Sequence, residues 1–292
     1  MKRILLIISA LVALSASAAP AEDWQNPAVN QRNRVEMAAT FASDSPRLSL
    51  DGIWNFRWYG SPELRQRDFF KPGLDDVRWD TMPVPGMWEL NGYGDPLYTN
   101  IAYPWDGHYV NNPPIVPTER NYVGQYRRSV SIPADWAGKD IFLAIGSATS
   151  NVRVWVNGKE VGYSEDSKLE ARFDVTKYVK PGQDALIALE IFRWCDGTYL
   201  EDQDFWRYAG IARETFLTAR PAARIEDLHV SAGMDGSYRF EASLTKAAKG
   251  VKYYLSGPGF PEMEVPASGR VERPNLWSAE SPSLYHLRAV CF

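Results

Sequence analysis

Residues 152–163 read VRVWVNGKEVGY. Val152, Val154 and Val156 recur at every second position, Asn157-Gly158 interrupts them, and Val161 and Tyr163 resume the alternation. A period of two puts one set of side chains on a single face of an extended chain. Asn-Gly accepts the two positive φ values of a type I′ turn, whose twist matches that of the strands it joins. A β-hairpin is predicted here, and it sets the terms for its surroundings. Upstream, Tyr126, Arg128, Val130 and Ile132 alternate with Arg127, Ser129 and Ser131, which predicts a strand with one buried and one wet face. Ile141 to Ile145 and Ala185 to Phe192 are continuous apolar runs behind turn residues (Gly138; Pro181 and Gly182), as expected of strands covered on both faces inside a sandwich. Between residues 23 and 219 no apolar spacing of i, i+3, i+4, i+7 is sustained, so a helical bundle and an α/β sheet are disfavoured. The expected class is all-β, with a jelly-roll sandwich over residues 23–219.

The segment TARPAAR, Thr218 to Arg224, is small and basic around a proline and suits a seam between domains. Beyond it Leu228–Val230, Tyr238–Leu244 and Val251–Leu255 have the rhythm of an immunoglobulin-like sandwich. Residues 221–292 fall short of the about 100 residues such a domain needs, so it is expected to be incomplete, with strand edges left open. Lys and Arg number 32 against 36 Asp and Glu, a formal charge of -4, which leaves no cationic surplus for a phosphate backbone and argues against nucleic acid as a partner. The two cysteines, Cys195 and Cys291, and the three histidines, His108, His229 and His286, have no metal-ligand spacing, which argues against structural zinc and a disulfide scaffold. Whether Cys195 and Cys291 pair with each other is left open.

At the amino terminus Lys2 and Arg3 precede the uncharged apolar run Ile4 to Leu14, and Ser15 to Ala18 follow. This is the pattern of a signal peptide over residues 1–18, with alanines at both small-residue positions before the cut. The apolar run is too short to cross about 30 Å of hydrocarbon as a helix, and no cysteine follows it to carry a lipid. Export to the periplasm or the medium is expected, with no membrane attachment after cleavage.

Four loop-like segments set carboxylates or amides beside aromatics: YTNIAYP (98–104), NPPIVPTER (112–120), GYSEDSKLEARFDVT (162–176) and RWCDGTYLEDQDFWRYAGIARE (193–214). Sugar sites use this pairing, because a pyranose has an apolar face for an aromatic ring and hydroxyls for acids and amides. The competing reading is that the aromatics are core and the acids pin loops through Arg193, Arg207 and Arg213. Asp202 and Asp204, two apart in an extended segment about 6.6 Å between Cα atoms, would point the same way. A glycosidase instead needs its carboxyls on opposite sides of the scissile bond, so ligation fits them better than catalysis. GxSxG, a phosphate-binding loop, GxGxxG and HExxH are all absent, which removes acyl transfer, nucleotide chemistry and zinc proteolysis.

With NPAVNQRNR (26–34), LDGIWNFRW (50–58), NPPIVPTERNYVGQYRRSVSIP (112–133) and VWVNGKEVGYSEDSKLEARFDVT (154–176), these segments resemble, in order, the amino-terminal region of glycoside hydrolase family 2 β-galactosidases. The resemblance is dense over residues 23–219 and resumes at RVERPNLWSAESPSLYHL (270–287), which is similar to the last strands of that family's second domain. DG.W.F and VNG are common to the whole family, whereas YTN..YP and YLEDQD together point to its galactosidase branch. The resemblance implies hydrolysis of terminal non-reducing β-D-galactose by a molecule whose (β/α)₈ barrel carries both catalytic glutamates. No catalytic residue has a matching position in this chain. Asn100 of YTN and Asp204 of YLEDQD match positions that contact the galactosyl unit, and Asp204 matches a position that also helps to hold sodium, whose other ligands come from the barrel. Magnesium and sodium are implied for the complete enzyme, with none held by this chain alone.

Three readings remain open from the sequence: the amino-terminal portion of a β-galactosidase, inactive without its barrel; a free-standing exported carbohydrate-binding module; and a structural or interaction sandwich. Partners expected accordingly are a galactoside or other glycan, and either the missing barrel portion or further copies of the chain. A truncated gene product, a fragment and a functional short protein are equally compatible with it.

Overall fold

A computed structural model describes residues 22–38, 41–201 and 203–292. The export segment expected at residues 1–18 and the side chain of Asp202 lie outside these. The predicted hairpin forms from Val152–Val156 and Lys159–Ser164, closing at Val156 opposite Lys159. Asn157 and Gly158 take φ values of 51° and 77°, as a type I′ turn requires. A register shift between Val154 and Trp155 bends the ribbon.

The hairpin lies towards one edge of a seven-stranded sheet in the order Gln31–Arg32, Lys159–Ser164, Val152–Val156, Asp184–Phe192, Val123–Ser131, Gly52–Tyr59, Asp80–Val84. Four further strands, Ala171–Asp174, Asp140–Ile145, Thr215–Arg220 and Arg47–Ser49, form the second sheet. One core joins the two: Val152, Val154, Val156, Trp54, Tyr126 and Leu189 from the first sheet pack in one cluster with Leu143, Phe173 and Leu217 from the second. Trp155, one residue out of step with the valines, lies in a separate cluster with Phe69 and Ala188 on the opposite face. Among the described residues the helical turns are all short 3₁₀ pieces, so the all-β class holds.

The strand predicted around Tyr126 spans Val123–Ser131, but its second face is not wet throughout. Arg127 is 3% exposed. Residues 66–79 fold over that end of the sheet, and Arg127 bonds them through Asp76 Oδ2 at 2.6 Å and the carbonyl oxygens of Phe69 and Lys71. Ser129 and Ser131, beyond the covering loop, are exposed as expected. Removing the guanidinium would strand a half-buried carboxylate and two carbonyls. Arg127→Ala is therefore expected to cost about 3 kcal/mol, read as a lower urea midpoint at unchanged slope, whereas loss of 0.5 kcal/mol or less would place this pair with ordinary surface bridges.

The strands from Ile225 onward pair only with one another, in two three-stranded sheets: Ile225–Ala232, Ser237–Leu244 and Ser268–Arg270, then Phe260–Val265, Val251–Gly257 and His286–Cys291. The three strands predicted here are present with wider bounds, and three more join them. Their shared core has only Phe240, Tyr253 and Leu255 fully buried. Arg224, at the end of TARPAAR, ties this part to the first sandwich through Asp140 at 2.6 Å, and Arg220 bonds Glu226 at 3.0 Å. Thr218 to Arg220 continue a buried strand, so the turn is confined to residues 221–224. Cys195 is buried, Cys291 is half-buried, and both are free thiols.

Candidate functional site

YTN and YLEDQD meet in space. Tyr98–Thr99 pairs antiparallel with Phe205–Trp206, Thr99 opposite Phe205, so that Asn100 and Asp204 adjoin the same end of this short ladder. The spacing of facing residues in such a ladder is about 5 Å between Cα atoms. Arg207 builds this end of the molecule. Its buried guanidinium donates Nε to Thr99 Oγ1 at 2.9 Å, Nη2 to the Gln203 carbonyl at 2.7 Å, and Nη1 to the Glu201 carbonyl. The same group lies 4.2 Å from the Phe205 ring centre, while the Lys168 ammonium sits 3.9 Å from it. A fixed fork of donors suits a loop that turns its carbonyls inward.

Asp204 itself is exposed and accepts the Tyr98 hydroxyl. The exposed Asn100 takes the Ile101 N–H on Oδ1 at 2.8 Å, which leaves its NH₂ as a donor for an incoming hydroxyl. Around the two lie Tyr98 and Trp206, each about half exposed, with Trp206 stacked on Tyr208 at 5.6 Å and Tyr98 edge-on to Trp206 at 5.6 Å. Ile101 and Leu200 add exposed apolar surface nearby in the chain. One acceptor, one donor and aromatic faces can orient a sugar ring. Among the described residues no second carboxyl stands across the pair, so these groups orient a sugar and do not cleave it. The loop-pinning alternative holds for Arg193, which bonds the Asp95 carbonyl at 2.9 Å and approaches its carboxylate at 3.4 Å. For Asp204 the partner is a tyrosine hydroxyl at the surface. Among the described residues the side chains at this end supply one carboxylate and one amide, fewer oxygens than a sodium ion's shell takes.

A second polar cluster escapes sequence reasoning. Glu165 follows the strand Lys159–Ser164, while Cys195 and Asp196 open the 3₁₀ turn Asp196–Leu200, fixed by the Cys195 N–H bonding Thr198 Oγ1 at 3.1 Å. The three side chains offer ligand atoms all within 4.8 Å of one another, and all three residues are buried. Tyr163 donates to Glu165 Oε1 at 2.7 Å, and Asp196 Oδ1 is buried without a hydrogen-bond partner. Burial, together with the neighbouring Asp196, pushes the Glu165 carboxyl up to about 8. Burial likewise raises Asp196 and the Cys195 thiol. Gly197 leaves the room: a Cβ there would stand 3.0 Å from Glu165 Oε2. Two carboxyls and a thiol could hold a cation at the cost of their protons. The only signal in the sequence was that Glu165 and Asp196 fall in two of the four polar–aromatic segments, since thirty residues of chain separate them.

Residues 48–221 match the family described as glycosyl hydrolases family 2, sugar binding domain. The chain is similar to β-galactosidases from Priestia megaterium, 35% identical over 266 residues, and from Halalkalibacterium halodurans, 36% identical over 271 residues. Those alignments cover 82% and 87% of this chain but only 26% and 27% of the relatives' length. Among solved structures, a β-glucuronidase of Faecalibacterium prausnitzii superposes with a TM-score of 0.62 at 24% identity, covering 87% of this chain and 46% of that one. A β-glucuronidase of an uncultured Clostridium gives 0.64 at 20% identity, covering 88% and 45%. At such identity these two speak for the fold alone. The family match, spanning most of the sandwich that carries Asn100 and Asp204, settles the assignment: the chain belongs to glycosyl hydrolase family 2, whose sugar-binding domain it contains.

Proposed function

We propose that this chain is the sugar-positioning portion of a β-galactosidase acting on terminal non-reducing β-D-galactose, with Asn100 and Asp204 as contacts to the galactosyl hydroxyls and the bond-breaking carboxyls supplied from outside the chain. The observation that carries the proposal is that the pairing of Tyr98–Thr99 with Phe205–Trp206 brings Asn100 and Asp204, which directly adjoin the paired residues, to the same end of one ribbon, beside exposed Tyr98 and Trp206. Acid and amide would be placed on one side of a ring, and exposed apolar side chains at the same tip suit a docked polypeptide that completes the pocket. The relatives named β-galactosidase support the substrate class. A signal sequence at residues 1–18 and a periplasmic or secreted location complete the proposal, resting on the charged, apolar and small-residue order of that segment. Sodium at Asp204, and magnesium, belong to the completed enzyme in this reading.

The chain alone should not hydrolyse. Glycoside cleavage through a covalent intermediate needs an acid and a nucleophile about 5 Å apart, and among the described residues the ribbon offers a single carboxylate beside an amide. Incubating the purified chain with a chromogenic β-galactoside is expected to release no more product than buffer. Turnover that scales with chain concentration and survives repurification would overturn this assignment of roles.

A further inference from the structure

A cleft of about 470 Å³ opens on the face of the seven-stranded sheet opposite the main core. Its floor is Arg153 and Trp155 from Val152–Val156 with Glu190 and Phe192 from Asp184–Phe192, which alternate with the core-facing Val152, Val154, Leu189 and Ile191. Its walls are two stretches of chain lying across the sheet, residues 22–24 on one side and 65–70 on the other. No residue of the Tyr98–Thr99 and Phe205–Trp206 ribbon lines it.

Glu22 ties the walls together. Its Oε2 accepts Arg65 Nη2 at 2.6 Å and Trp24 Nε1 at 2.8 Å, and its Oε1 accepts Arg67 Nη1 at 2.7 Å. Asp23 receives Arg32 at 2.8 and 3.0 Å and Arg153 at 2.7 Å, and Arg153 approaches Glu160 at 3.5 Å. Although burial pushes Glu22 upward, the bonds from Arg67 and Trp24 and the Arg65 charge outweigh it and hold the carboxyl at about 2. The pairs therefore stay ionised. Trp155, buried in the floor, stacks on Phe70 at 5.0 Å with their planes 1° apart, which fixes the partly exposed Phe70 ring as the apolar side of the cleft.

This chemistry selects a ligand. Four guanidinium groups, on Arg32, Arg65, Arg67 and Arg153, face three ionised carboxylates, on Glu22, Asp23 and Glu160, and the buried acid Glu190, whose charge burial disfavours, so the charges nearly balance. An anion would meet carboxylates, and a cation would meet guanidiniums. A vicinal diol fits both at once, because each hydroxyl donates and accepts: one can take an arginine N–H while its neighbour gives to the adjoining carboxylate. The remaining C–H face of a pyranose would lie on the aromatic side. The volume falls in the range of about 300–1,000 Å³ usual for small-molecule sites. We infer that this cleft is a second carbohydrate site, taking a short neutral oligosaccharide, separate from the Asn100–Asp204 ribbon and independent of any catalytic portion.

The test uses the chain as it stands. Lactose, β-1,4-galactotriose, cellotriose, xylotriose and mannotriose, with glucuronate and inorganic phosphate for comparison, are titrated calorimetrically against the wild type, Arg67→Ala, Phe70→Ala and Asp204→Ala. Arg67 is a largely exposed side chain, so its loss leaves the fold intact, which near-ultraviolet circular dichroism would verify. At least one neutral probe is expected to bind with a dissociation constant of about 1 mM or tighter. Its affinity should fall at least tenfold in Arg67→Ala and in Phe70→Ala and stay within twofold in Asp204→Ala. No binding of any neutral probe at about 10 mM, preference for phosphate or glucuronate, or an unchanged affinity in Arg67→Ala would overturn the inference. Loss in Asp204→Ala alone would also overturn it, by placing the sugar on the ribbon and leaving the proposed function standing.

Discussion

Asp204→Ala, made in a hybrid that joins this chain's first sandwich to the catalytic barrel of a family 2 β-galactosidase, is expected to lower kcat/KM for a β-galactoside more than tenfold while leaving the thermal midpoint unchanged. A carboxylate that accepts a sugar hydroxyl away from water is worth about 1.5–3 kcal/mol, and tenfold corresponds to about 1.4 kcal/mol. Stability should not move, because the carboxylate is exposed and its protein partner is the hydroxyl of Tyr98, itself half exposed. The loop does not hang on that contact. Arg207 holds it through the carbonyl oxygens of Glu201 and Gln203 and through Thr99. If Asp204 only pinned the loop, its removal would do the reverse, lowering the midpoint and sparing the kinetics of the folded fraction. Both quantities are therefore read on the same hybrid, and lost stability with normal turnover would end the sugar-contact role.

The hairpin at residues 152–163 was legible because everything that makes it is local: two φ-positive residues and a period of two within twelve positions. Asn157 and Gly158 take those φ values by residue type, and the Asn157 side chain then bonds the Tyr178 carbonyl and the Leu186 N–H, each at 2.9 Å. Arg127 shows where locality stops. Alternation made it solvent-facing, and the strand does present it away from the core, but residues 66–79 return over that face and bury it. Nothing near Arg127 in the sequence announces a covering loop fifty residues away. Asn100 and Asp204 were singled out by resemblance, whereas their arrival at one ribbon end follows from a two-residue ladder between segments more than a hundred positions apart. Glu165 and Asp196 are the converse case. Each sits in a segment already marked as too polar for packing, yet only the folded chain shows that their side chains meet. The same holds for the cleft of paired arginines, whose members come from five separate stretches.

That buried meeting of carboxyls makes the chain's stability fall as pH rises from the ordinary carboxylate range to about 8, and Glu165→Gln is expected to abolish much of the fall. Burial chiefly, then Asp196, moves Glu165 from 4.5 to about 8 in the folded state. Between those two values the native protein keeps a proton that the unfolded chain releases, so stability declines with rising pH through this window and levels off above it. Asp196, Glu190, Glu89 and Glu201 are raised by burial too and add to the decline. Glu22 and Asp23 are lowered and act oppositely, contributing stability above the ordinary carboxylate range and losing it in acid. The two trends cross near the ordinary carboxylate value of about 4.5, so the optimum lies there and stability declines from it towards neutral pH. Glutamine at position 165 keeps the oxygen that receives Tyr163 and carries a neutral NH₂ that can donate to the orphaned Asp196 Oδ1. At pH 5.5 the unfolded glutamate is already mostly ionised while the folded one keeps its proton, so the variant should lead the wild type by about 1.4 kcal/mol. At pH 8.5 the lead should reach at least about 3 kcal/mol, within a ceiling of about 5 set by roughly 1.4 kcal/mol per pH unit of displacement. Urea unfolding at the two pH values, in buffer with a chelator so that no cation replaces the proton, measures the difference. Equal stability of the two proteins at pH 8.5 would mean that water or a rearranged loop solvates the Glu165 carboxylate, and the buried acid pair would lose its energetic meaning.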